Sequence, residues 1–330
     1  MIEIVALSDA MREAVGLAER VAATDANVLV TGESGAGKDA LAAFIHSRSL
    51  RAARPLVKID CATLPADLLE AELFGYERGA FTGATEAKPG RLEAAHRGTL
   101  VLDEITHLTS DAQAKLLRVI ETRKFERLGG RKTIEVDSRL VALTNADLRN
   151  AVERRAFRDD LFYRLNVVHI EVPALRERGK DLETLCRSFV QAYAAKHGRP
   201  ARQLSTEAIT LLRTYDFPGN VRELSNIIER SVIVSNDTQI AAESLPEGLR
   251  ASAQQRAQRD RRPTLAEVES GYIRETLAAT KGNKAEAARI LGISRKNLYE
   301  RLAREKAEVR DQKSEVGDQR SDVTTAEDGE

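Results

Sequence analysis

The feature that most constrains how this chain can fold is the segment GESGAGKD at residues 32–39. It has the GxxxxGK spacing of a phosphate-binding loop, and it lies between an apolar run at Val28–Val30 and a helical pattern at about Asp39–Ser47. In such a loop, backbone N–H groups surround phosphate oxygens, and the following helix N-terminus adds a partial positive charge. We therefore expect ATP to bind here, with Lys38 reaching the β- and γ-phosphates. The expected nucleotide-binding residues of the loop are Gly32, Glu33, Ser34, Gly35, Ala36, Gly37, Lys38 and Asp39.

Short apolar runs alternate with amphipathic helical stretches up to about residue 170. The runs that indicate strands are Val28–Val30, Leu56–Ile59, Thr99–Leu102 and Leu140–Leu143. Near-continuous apolar runs of this length are typical of a parallel sheet buried on both faces. The alternation predicts an α/β domain over residues 1–170, with its ligand at the carboxyl ends of the strands.

Two adjacent acids, Asp103 and Glu104, follow the third of these strands. Carboxylates at the end of a buried strand are costly unless they meet a metal or a substrate. We expect Asp103 to hold Mg²⁺ and Glu104 to orient and deprotonate the attacking water. Asp39 stands where a Ser or Thr usually ligates Mg²⁺, and its carboxylate is a second candidate ligand, directly or through water. Asn145, just past the fourth strand, is either a sensor of the γ-phosphate and water or a turn residue.

Strand signals nearly stop after residue 171, and helical patterns replace them. The patterns lie at Asp181–Lys196, after Ser205, and from Val221 onward, past the helix breaker Pro218-Gly219-Asn220. They predict a small helical domain over residues 171–245. A charged linker is expected at 246–263, a compact helical unit at 264–306, and a polar tail at 307–330 whose composition favours disorder.

The segment from Gly282 to Arg304 has the pattern of a helix-turn-helix. Asn283 and Ser294 are candidate caps for its two helices, and Gly292 is placed for the turn between them. Residues 281–306 carry eight basic and three acidic side chains in a chain whose 51 basic and 51 acidic residues cancel, and this local excess suits DNA phosphates. A helical hairpin with a solvated charged face is the alternative. The expected base-reading residues are Arg295, Lys296 and Asn297, and the expected phosphate contacts are Arg301 and Arg304.

The remaining composition excludes several classes of protein. The two cysteines, Cys61 and Cys186, are too few for a disulfide scaffold and have no metal-ligand spacing. No apolar run approaches the roughly 18 residues of a membrane helix, and the N-terminus lacks the basic region of a signal peptide. We therefore expect a cytoplasmic protein with reduced thiols and no membrane partner.

Two further motifs carry a resemblance to a known family. They are Glu72-Leu73-Phe74-Gly75 and the six-residue segment GAFTGA at residues 79–84. With them, the chain closely resembles the AAA+ bacterial enhancer-binding proteins, the NtrC-like activators of sigma-54 RNA polymerase, over residues 2–306. The end of the chain resembles their Fis-type DNA-binding domain. The resemblance implies that the residues contacting sigma-54 are Gly79, Ala80, Phe81, Thr82, Gly83 and Ala84.

The same resemblance assigns roles to residues around the nucleotide. Arg158 and Arg164 look like arginine fingers donated into a neighbouring subunit, although either could equally form a surface ion pair. Arg222 looks like the sensor arginine of the helical lid. Asp60 is a switch candidate, because many relatives have an Asn there that hydrogen-bonds the catalytic glutamate. An Asp would repel Glu104 unless one carboxyl is protonated or a water intervenes.

The resemblance implies an AAA+ P-loop ATPase with a helical lid, followed by a helix-turn-helix. Its cofactors would be ATP and Mg²⁺, and its partners the sigma-54 RNA polymerase holoenzyme and double-stranded upstream DNA. Arginine fingers imply a ring, for which the family suggests a hexamer, and Leu265–Leu277 is a candidate dimer interface of the DNA-binding domain. The chain begins within the ATPase core, so a complete chain of this kind would be controlled by expression level or by a regulatory protein in trans. The alternatives are a DNA-remodelling or replication ATPase and a DNA-binding regulator with a spent ATP site.

Overall fold

The computed structural model describes residues 4–200, 203–235, 239–251 and 265–302. The chain divides into two compact units, Met1–Gln254 and Gln255–Glu330. The predicted disordered tail and the predicted linker beyond residue 251 lie outside the described residues. No helix within the described ranges is long and apolar enough to cross a membrane.

The first unit contains a parallel sheet and several short two-stranded pairs. Its strands are β1 (Val28–Thr31), β2 (Leu56–Asp60), β3 (Gly75–Tyr76), β4 (Lys88–Pro89), β5 (Thr99–Asp103), β6 (Lys124–Glu126), β7 (Thr133–Glu135), β8 (Arg139–Thr144), β9 (Val168–Glu171), β10 (Gln203–Leu204) and β11 (Gln239–Ile240). The parallel sheet has the order β2-β5-β8-β1-β9. The four predicted strands are present, and β9 is an additional one. Sequence patterning missed β9 because this edge strand alternates apolar and polar residues instead of forming a continuous apolar run.

Helices cover the sheet and build the lid. They are α1 (Asp9–Ala22), α2 (Lys38–Ser47), α3 (Ala66–Phe74), α4 (Arg91–Ala94), α5 (Ser110–Thr122), α6 (Leu148–Glu153), α7 (Asp159–Leu165), α8 (Gly179–Lys196), α9 (Thr206–Arg213), α10 (Asn220–Val234) and α11, which includes residues 247–251. Short 3₁₀ turns lie at Ile105–His107, Leu175–Glu177 and Ala242–Ser244.

Two apolar clusters lie on opposite faces of the sheet, because successive residues of a strand point to opposite sides. Leu100 and Leu102 of β5 belong to one cluster, which also takes in α3, α5 and α7. Val101 belongs to the other, which takes in α1 and α2. This is the predicted α/β arrangement, and it places the loops after β1, β5 and β8 at one edge of the sheet.

The lid has its own apolar core, built from α8, α9 and α10. The three helices begin within two residues of the sequence prediction, and the Ser205 hydroxyl caps α9 by accepting a hydrogen bond from Ala208 N at 3.1 Å. Cys61 and Cys186 are both free and buried, and burial raises the pKa of each thiol to about 12. A thiol with such a pKa stays protonated and unreactive near neutral pH.

The second unit contains α12 (Leu265–Ala279), α13 (Lys284–Ile290) and α14, which includes residues 295–302. Asn283 caps α13, since its side chain accepts from the N–H groups of residues 285 and 286. The Ser294 hydroxyl accepts from Asn297 N at the start of α14. Gly292 has a φ of 65°, a left-handed conformation that favours glycine, between the two helices. The predicted helix-turn-helix architecture is therefore present.

Candidate functional site

The phosphate loop, residues 32–39, joins the carboxyl end of β1 to α2, where the sequence predicted it. Three of its residues, Gly32, Gly35 and Gly37, have positive φ angles of 148°, 74° and 111°. Gly35 is also crowded, because a Cβ atom there would lie 2.3 Å from the carbonyl oxygen of Gly219 in the lid. This position accepts only glycine, so the loop sequence is tied to the packing of the lid as well as to phosphate binding.

The Lys38 ammonium is held inside the phosphate loop. Its Nζ donates hydrogen bonds to the carbonyl oxygens of Gly32 at 2.8 Å and Glu33 at 3.3 Å, and lies 3.8 Å from Oε1 of Glu104. A cavity of about 250 Å³ opens beside it and is called the phosphate cavity below. Its lining residues are Ser34, Gly35, Gly37, Lys38, Asp39, Asp103 and Glu104, with Phe189, Val221, Arg222 and Ser225 from the lid. The structure therefore brings together six of the side chains that the sequence singled out, those of Ser34, Lys38, Asp39, Asp103, Glu104 and Arg222.

Glu104 has a backbone conformation that non-glycine residues rarely adopt, with a φ of 49°. Such a conformation costs about 1–3 kcal/mol and recurs at functional sites. Its Oε2 accepts a hydrogen bond from the backbone N–H of Asn145 at 3.2 Å. Asn145 itself lines a second cavity of about 470 Å³ that also includes Gly32 and Glu33. The main chain of the predicted sensor thus positions the predicted base.

Lys58 of β2 contacts both carboxylates that the sequence assigned to Mg²⁺. Its ammonium forms an ion pair with Asp39 Oδ1 and lies 2.7 Å from Asp103 Oδ2. Desolvation lowers the pKa of Lys58, but its hydrogen bonds to Asp103 and Asp39 outweigh that effect and raise it. Two carboxylates that share one cation have the hard oxygen ligands that Mg²⁺ prefers, so the residues present fit the metal. In the sequence, Lys58 is a lysine inside a mainly apolar strand, and this pattern alone predicts no role for it.

Asp60, the switch candidate, ends β2 and makes hydrogen bonds within the turn that follows it. Its carboxylate accepts a hydrogen bond from Ala62 N at 2.9 Å, and its carbonyl oxygen accepts from the Thr63 hydroxyl. The Cα atoms of Asp60 and Asp103 are register partners across β2 and β5. Among the described residues, Asp60 is therefore occupied by its own turn, while Glu104 is held by Asn145.

A cluster of polar contacts connects the lid to Glu33 of the phosphate loop. Arg176 donates to both carboxylate oxygens of Glu33, at 2.5 and 2.9 Å. Asn220, fully buried at the start of α10, donates to Glu33 and to the Ser34 carbonyl and accepts from Leu175 N. The hydrogen bond from Arg176, and then that from Asn220, lower the pKa of Glu33 to about 2. The sequence pattern predicts a contact with the phosphate loop for neither Arg176 nor Asn220.

Arg222, the predicted sensor, lies against the same loop. Its Nη1 donates to the Ser34 hydroxyl at 3.2 Å, and the backbone N–H groups of Val221 and Arg222 both point to the Gly35 carbonyl oxygen, at 3.0 and 3.3 Å. The N-terminal end of α10 therefore rests on the phosphate loop. A movement of the lid would act directly on the residues around the phosphates.

The two predicted arginine fingers lie on the surface, Arg158 just before α7 and Arg164 in its last turn. Arg158 holds Asp160 through two hydrogen bonds of 3.0 and 2.7 Å, which lower the pKa of that carboxyl. Arg164 lies 3.3 Å from Glu121 and is 61% exposed. Within the described part of the chain, neither guanidinium lines the phosphate cavity. Both are therefore available to another molecule at the expense of weak surface ion pairs.

The segment at residues 79–84, called the effector loop below, lies between the short strands β3 and β4. Its ends are joined by a hydrogen bond from Gly79 N to Ala84 O at 2.8 Å. Thr82 is exposed, and Phe81 is 42% exposed with its ring edge-on to Tyr76 at 4.9 Å. The loop therefore presents an aromatic ring and a hydroxyl to solvent.

The base of the effector loop is fastened to the loop between β6 and β7. Leu128 exchanges backbone hydrogen bonds with Gly75 and Glu77, at 2.9 and 3.0 Å. Arg127 donates to Glu93 at 2.8 and 2.7 Å and to Glu77 at 3.2 Å. The hydrogen bond from Arg127 lowers the pKa of Glu93. The motif therefore has a fixed base and an exposed tip.

In the second unit, the predicted base-reading residues lie at the start of α14. Arg295 and Lys296 are exposed, whereas the half-buried Asn297 accepts a hydrogen bond from Arg301 Nε at 3.0 Å. Arg301 also contacts Glu269 of α12, so its charge is partly used within this unit. The predicted phosphate contact at Arg304 lies outside the described residues. Two exposed cations at a helix N-terminal end fit the expected DNA-reading position.

Comparison with protein families assigns the three parts of the chain. Residues 4–171 match the sigma-54 interaction domain, residues 176–262 the AAA+ ATPase lid domain, and residues 264–304 the Fis family of bacterial regulatory proteins. The matched sigma-54 interaction domain contains the phosphate loop, the Asp103–Glu104 pair and the effector loop.

Curated relatives agree with this assignment over about nine tenths of the chain. Regulatory protein AtoC of Escherichia coli is 42% identical over 303 residues, which cover 89% of this chain and 66% of AtoC. Transcriptional regulatory protein FlbD of Caulobacter vibrioides is 43% identical, covering 89% of this chain and 68% of FlbD. Nitrogen fixation protein AnfA of Azotobacter vinelandii is 45% identical, with 91% and 57% covered. The chain thus spans between about half and two thirds of these relatives.

Solved structures of NtrX from Brucella abortus have the same fold. The complex of NtrX with ADP superposes with a TM-score of 0.70 at 33% identity, covering 92% of this chain and 69% of NtrX. The complex of NtrX with ATP gives 0.69 at 35% identity, covering 91% and 68%. The chain therefore belongs to the NtrC-like family of sigma-54-dependent transcriptional activators, with an AAA+ ATP-binding region, its lid and a Fis-type helix-turn-helix.

Proposed function

We propose that this protein hydrolyses ATP to remodel the closed promoter complex of sigma-54 RNA polymerase through its effector loop. The observation that carries the proposal is the exposure of Phe81 and Thr82 at the tip of a hairpin with a fixed base, in a member of this family. ATP bound in the phosphate cavity supplies the energy. Exposed basic residues at the start of α14 hold the protein on upstream double-stranded DNA.

Hydrolysis follows from the positions of three side chains. Lys38 leaves the carbonyl oxygens of its own loop and neutralises the β- and γ-phosphates. Glu104, held by the N–H of Asn145, orients the attacking water and accepts its proton. Asp103 and Asp39 would hold Mg²⁺, which supplies charge neutralisation at the phosphates when it is bound. Arg222 couples the state of the phosphates to the lid, and Asn145 couples it to Glu104.

The active species is a ring, for which the family suggests six subunits. Arg158 and Arg164 are exposed and lie away from the phosphate cavity of their own chain, as a residue donated to a neighbour must. A guanidinium in trans is worth about 10³-fold or more in phosphoryl transfer. Dimers formed through α12 would gather subunits on DNA. Such a protein works in the bacterial cytoplasm, where a regulatory protein in trans can control assembly of the ring.

Mixing two inactive variants tests the shared site. Lys38→Ala and Arg158→Ala should each hydrolyse ATP at least about 100-fold more slowly than the wild type. An equimolar mixture should regain activity, because some interfaces combine an intact Lys38 with an intact Arg158. A mixture no more active than its components would contradict the arrangement in trans.

Formation of open complexes on a sigma-54 promoter tests the function itself. Wild type should open the promoter with ATP, and Thr82→Ala should fail to open it while it retains ATPase activity. Thr85→Ala is the matched control, since Thr85 is an exposed threonine just outside the motif. Equal opening by wild type and Thr82→Ala would exclude the effector-loop assignment. ATPase activity stimulated by DNA but indifferent to sigma-54 would favour a DNA-remodelling ATPase instead.

A further inference from the structure

Lys58 holds a position that the hydrolytic mechanism does not use. Its ammonium lies between Asp39 and Asp103, in contact with a carboxylate oxygen of each. Asp39 is in the first turn of α2 and Asp103 ends β5, so the lysine joins two elements of the phosphate cavity from the neighbouring strand β2. The partners lie 19 and 45 positions away in the sequence, and only the tertiary structure unites them.

The charges around this position are balanced. The phosphate cavity contains three carboxylates, those of Asp39, Asp103 and Glu104, and two cations, the ammonium of Lys38 and the guanidinium of Arg222. Lys58 supplies the third positive charge. Without Lys58 the cluster would hold three negative charges against two positive charges, and a nucleotide would bring further negative charge. Lys58 therefore supplies part of the charge neutralisation that a bound metal cation would give to these carboxylates.

We propose that Lys58 is a positioning residue that occupies the cation position between Asp39 and Asp103 until Mg²⁺ replaces it. The proposal rests on the nucleotide and Mg²⁺ site of the proposed function. It assigns to Lys58 control over how strongly nucleotide binding depends on the metal. Lys58 does not take part in the hydrolytic step.

Exchange between the two cations follows from their geometry. An ammonium and a Mg²⁺ ion use the same carboxylate oxygens, and Mg²⁺ binds them at about 2.0–2.1 Å. The two cations repel each other at such separations, so they do not share the position. The Lys58 side chain is 42% exposed and has a flexible four-carbon stem, which lets the ammonium withdraw into solvent. Lys38, by contrast, is 5% exposed and held by its own loop.

Removing the Lys58 charge should therefore act in two directions. Metal-free nucleotide should bind more weakly, because Asp39 and Asp103 then repel the phosphates without the compensating charge of Lys58. Nucleotide with Mg²⁺ should bind more tightly, because the metal no longer displaces an ammonium. Both effects increase the ratio of the Kd measured in EDTA to the Kd measured in Mg²⁺.

The experiment measures that ratio by fluorescence anisotropy of a labelled ADP, with the full chain. In Lys58→Met and Lys58→Gln we expect the ratio to rise about tenfold over the wild type. Lys58→Arg keeps a positive charge and should stay within about twofold of the wild type. Lys124→Met removes an exposed lysine that pairs with Glu135 at 3.0 Å, and it should leave the ratio unchanged.

An unchanged ratio in folded Lys58→Met and Lys58→Gln would overturn the proposal. An equal rise in Lys58→Arg would also overturn it, since a purely structural lysine would give that result. The test needs no hydrolysis and no polymerase. A wild type that fails to open promoters while Lys58→Met still shows the raised ratio would refute the proposed function and leave the role of Lys58 supported.

Discussion

A Cβ atom built at Gly35 of the phosphate loop would lie 2.3 Å from the carbonyl oxygen of Gly219, whereas no described atom beyond the adjoining residues lies within 4 Å of one built at Gly79 or Gly83 of the effector loop. All three glycines have positive φ angles. At Gly35 of the phosphate loop, glycine is required because another chain segment occupies the space. In the effector loop, it is required only by the backbone conformation.

The surroundings of the two loops differ in the same way. Glu33 is held by Arg176 and Asn220, and the Gly35 carbonyl oxygen receives backbone N–H groups from the lid. The effector loop is held at its base, where Arg127 contacts Glu77 and Glu93 and Leu128 bonds to Gly75 and Glu77, while Phe81 touches Tyr76 and remains 42% exposed. The comparison indicates that nucleotide chemistry needs a loop fixed on several sides, while contact with a large partner needs an exposed tip on a fixed base.

The largest effect should come from adding one methyl group to the phosphate loop. Gly35→Ala places Cβ against Gly219 and strains a left-handed residue, so ADP affinity should fall at least about 100-fold and the melting temperature should drop. Gly83→Ala carries a similar strain of about 1–2 kcal/mol in open space and should keep ADP affinity within about twofold. Isothermal titration calorimetry measures the ADP affinity of the two variants, and thermal denaturation measures their melting temperatures. Equal losses of ADP affinity in the two variants would contradict the proposed difference between the two loops.

A smaller effect is expected from neutralising the contact between lid and loop. Glu33→Gln replaces a two-pronged charge-assisted pair with Arg176 by weaker neutral hydrogen bonds, so ADP affinity should fall about tenfold. The control is Glu229→Gln, which removes a lid ion pair with Lys196 at 2.8 Å away from the phosphate loop. The same assay applies. Identical affinities in the two variants would show that this contact does not support the loop.

Loosening the base of the effector loop should affect function more than stability. Arg127→Met removes hydrogen bonds to Glu93 and Glu77, which should lower the free energy of unfolding by about 1–2 kcal/mol. Binding to sigma-54 should weaken a few-fold, with ATPase activity within about twofold, as pull-down and phosphate-release assays can measure. Arg118→Met, which removes a 3.5 Å surface pair with Glu126, should have the smaller effect on both. A large loss of ATPase activity in Arg127→Met would show that the base also supports the nucleotide site.

The smallest effect concerns pH. The pKa of Glu33 falls from 4.5 to about 2 on folding, so its contribution to stability is complete above about pH 4.5 and is lost as the pH falls toward 2. The difference in unfolding free energy between wild type and Glu33→Gln should therefore narrow below pH 4.5. Urea denaturation at several pH values measures this difference. The other carboxyl groups contribute equally to the pH dependence of both proteins, so their effects cancel in the difference. A difference that stays constant down to pH 2.5 would contradict the assigned cause.

Local patterns were sufficient to predict much of the fold. Apolar runs identified β1, β5 and β8, because strands buried on both faces have few polar residues. The run Leu56–Ile59, apolar except for Lys58, also identified the edge strand β2. Edge strand β9 was missed, since only its alternate residues, Val168 and Ile170, are apolar. The caps of α9, α13 and α14 were also predictable, because a cap involves neighbours within three residues.

By itself, the sequence determined the strand, loop and helix around Lys38, the acids after β5 and the helix-turn-helix, since each depends on residues close together in the chain. Only the tertiary structure decided which charges meet. Glu33 pairs with Arg176, 143 positions away, and with Asn220, 187 positions away. Lys58 reaches Asp103 because β2 and β5 are neighbours in the sheet. Periodicity states which residues of a strand are buried, but strand order, and therefore the partner of each charge, arises from packing of the whole domain.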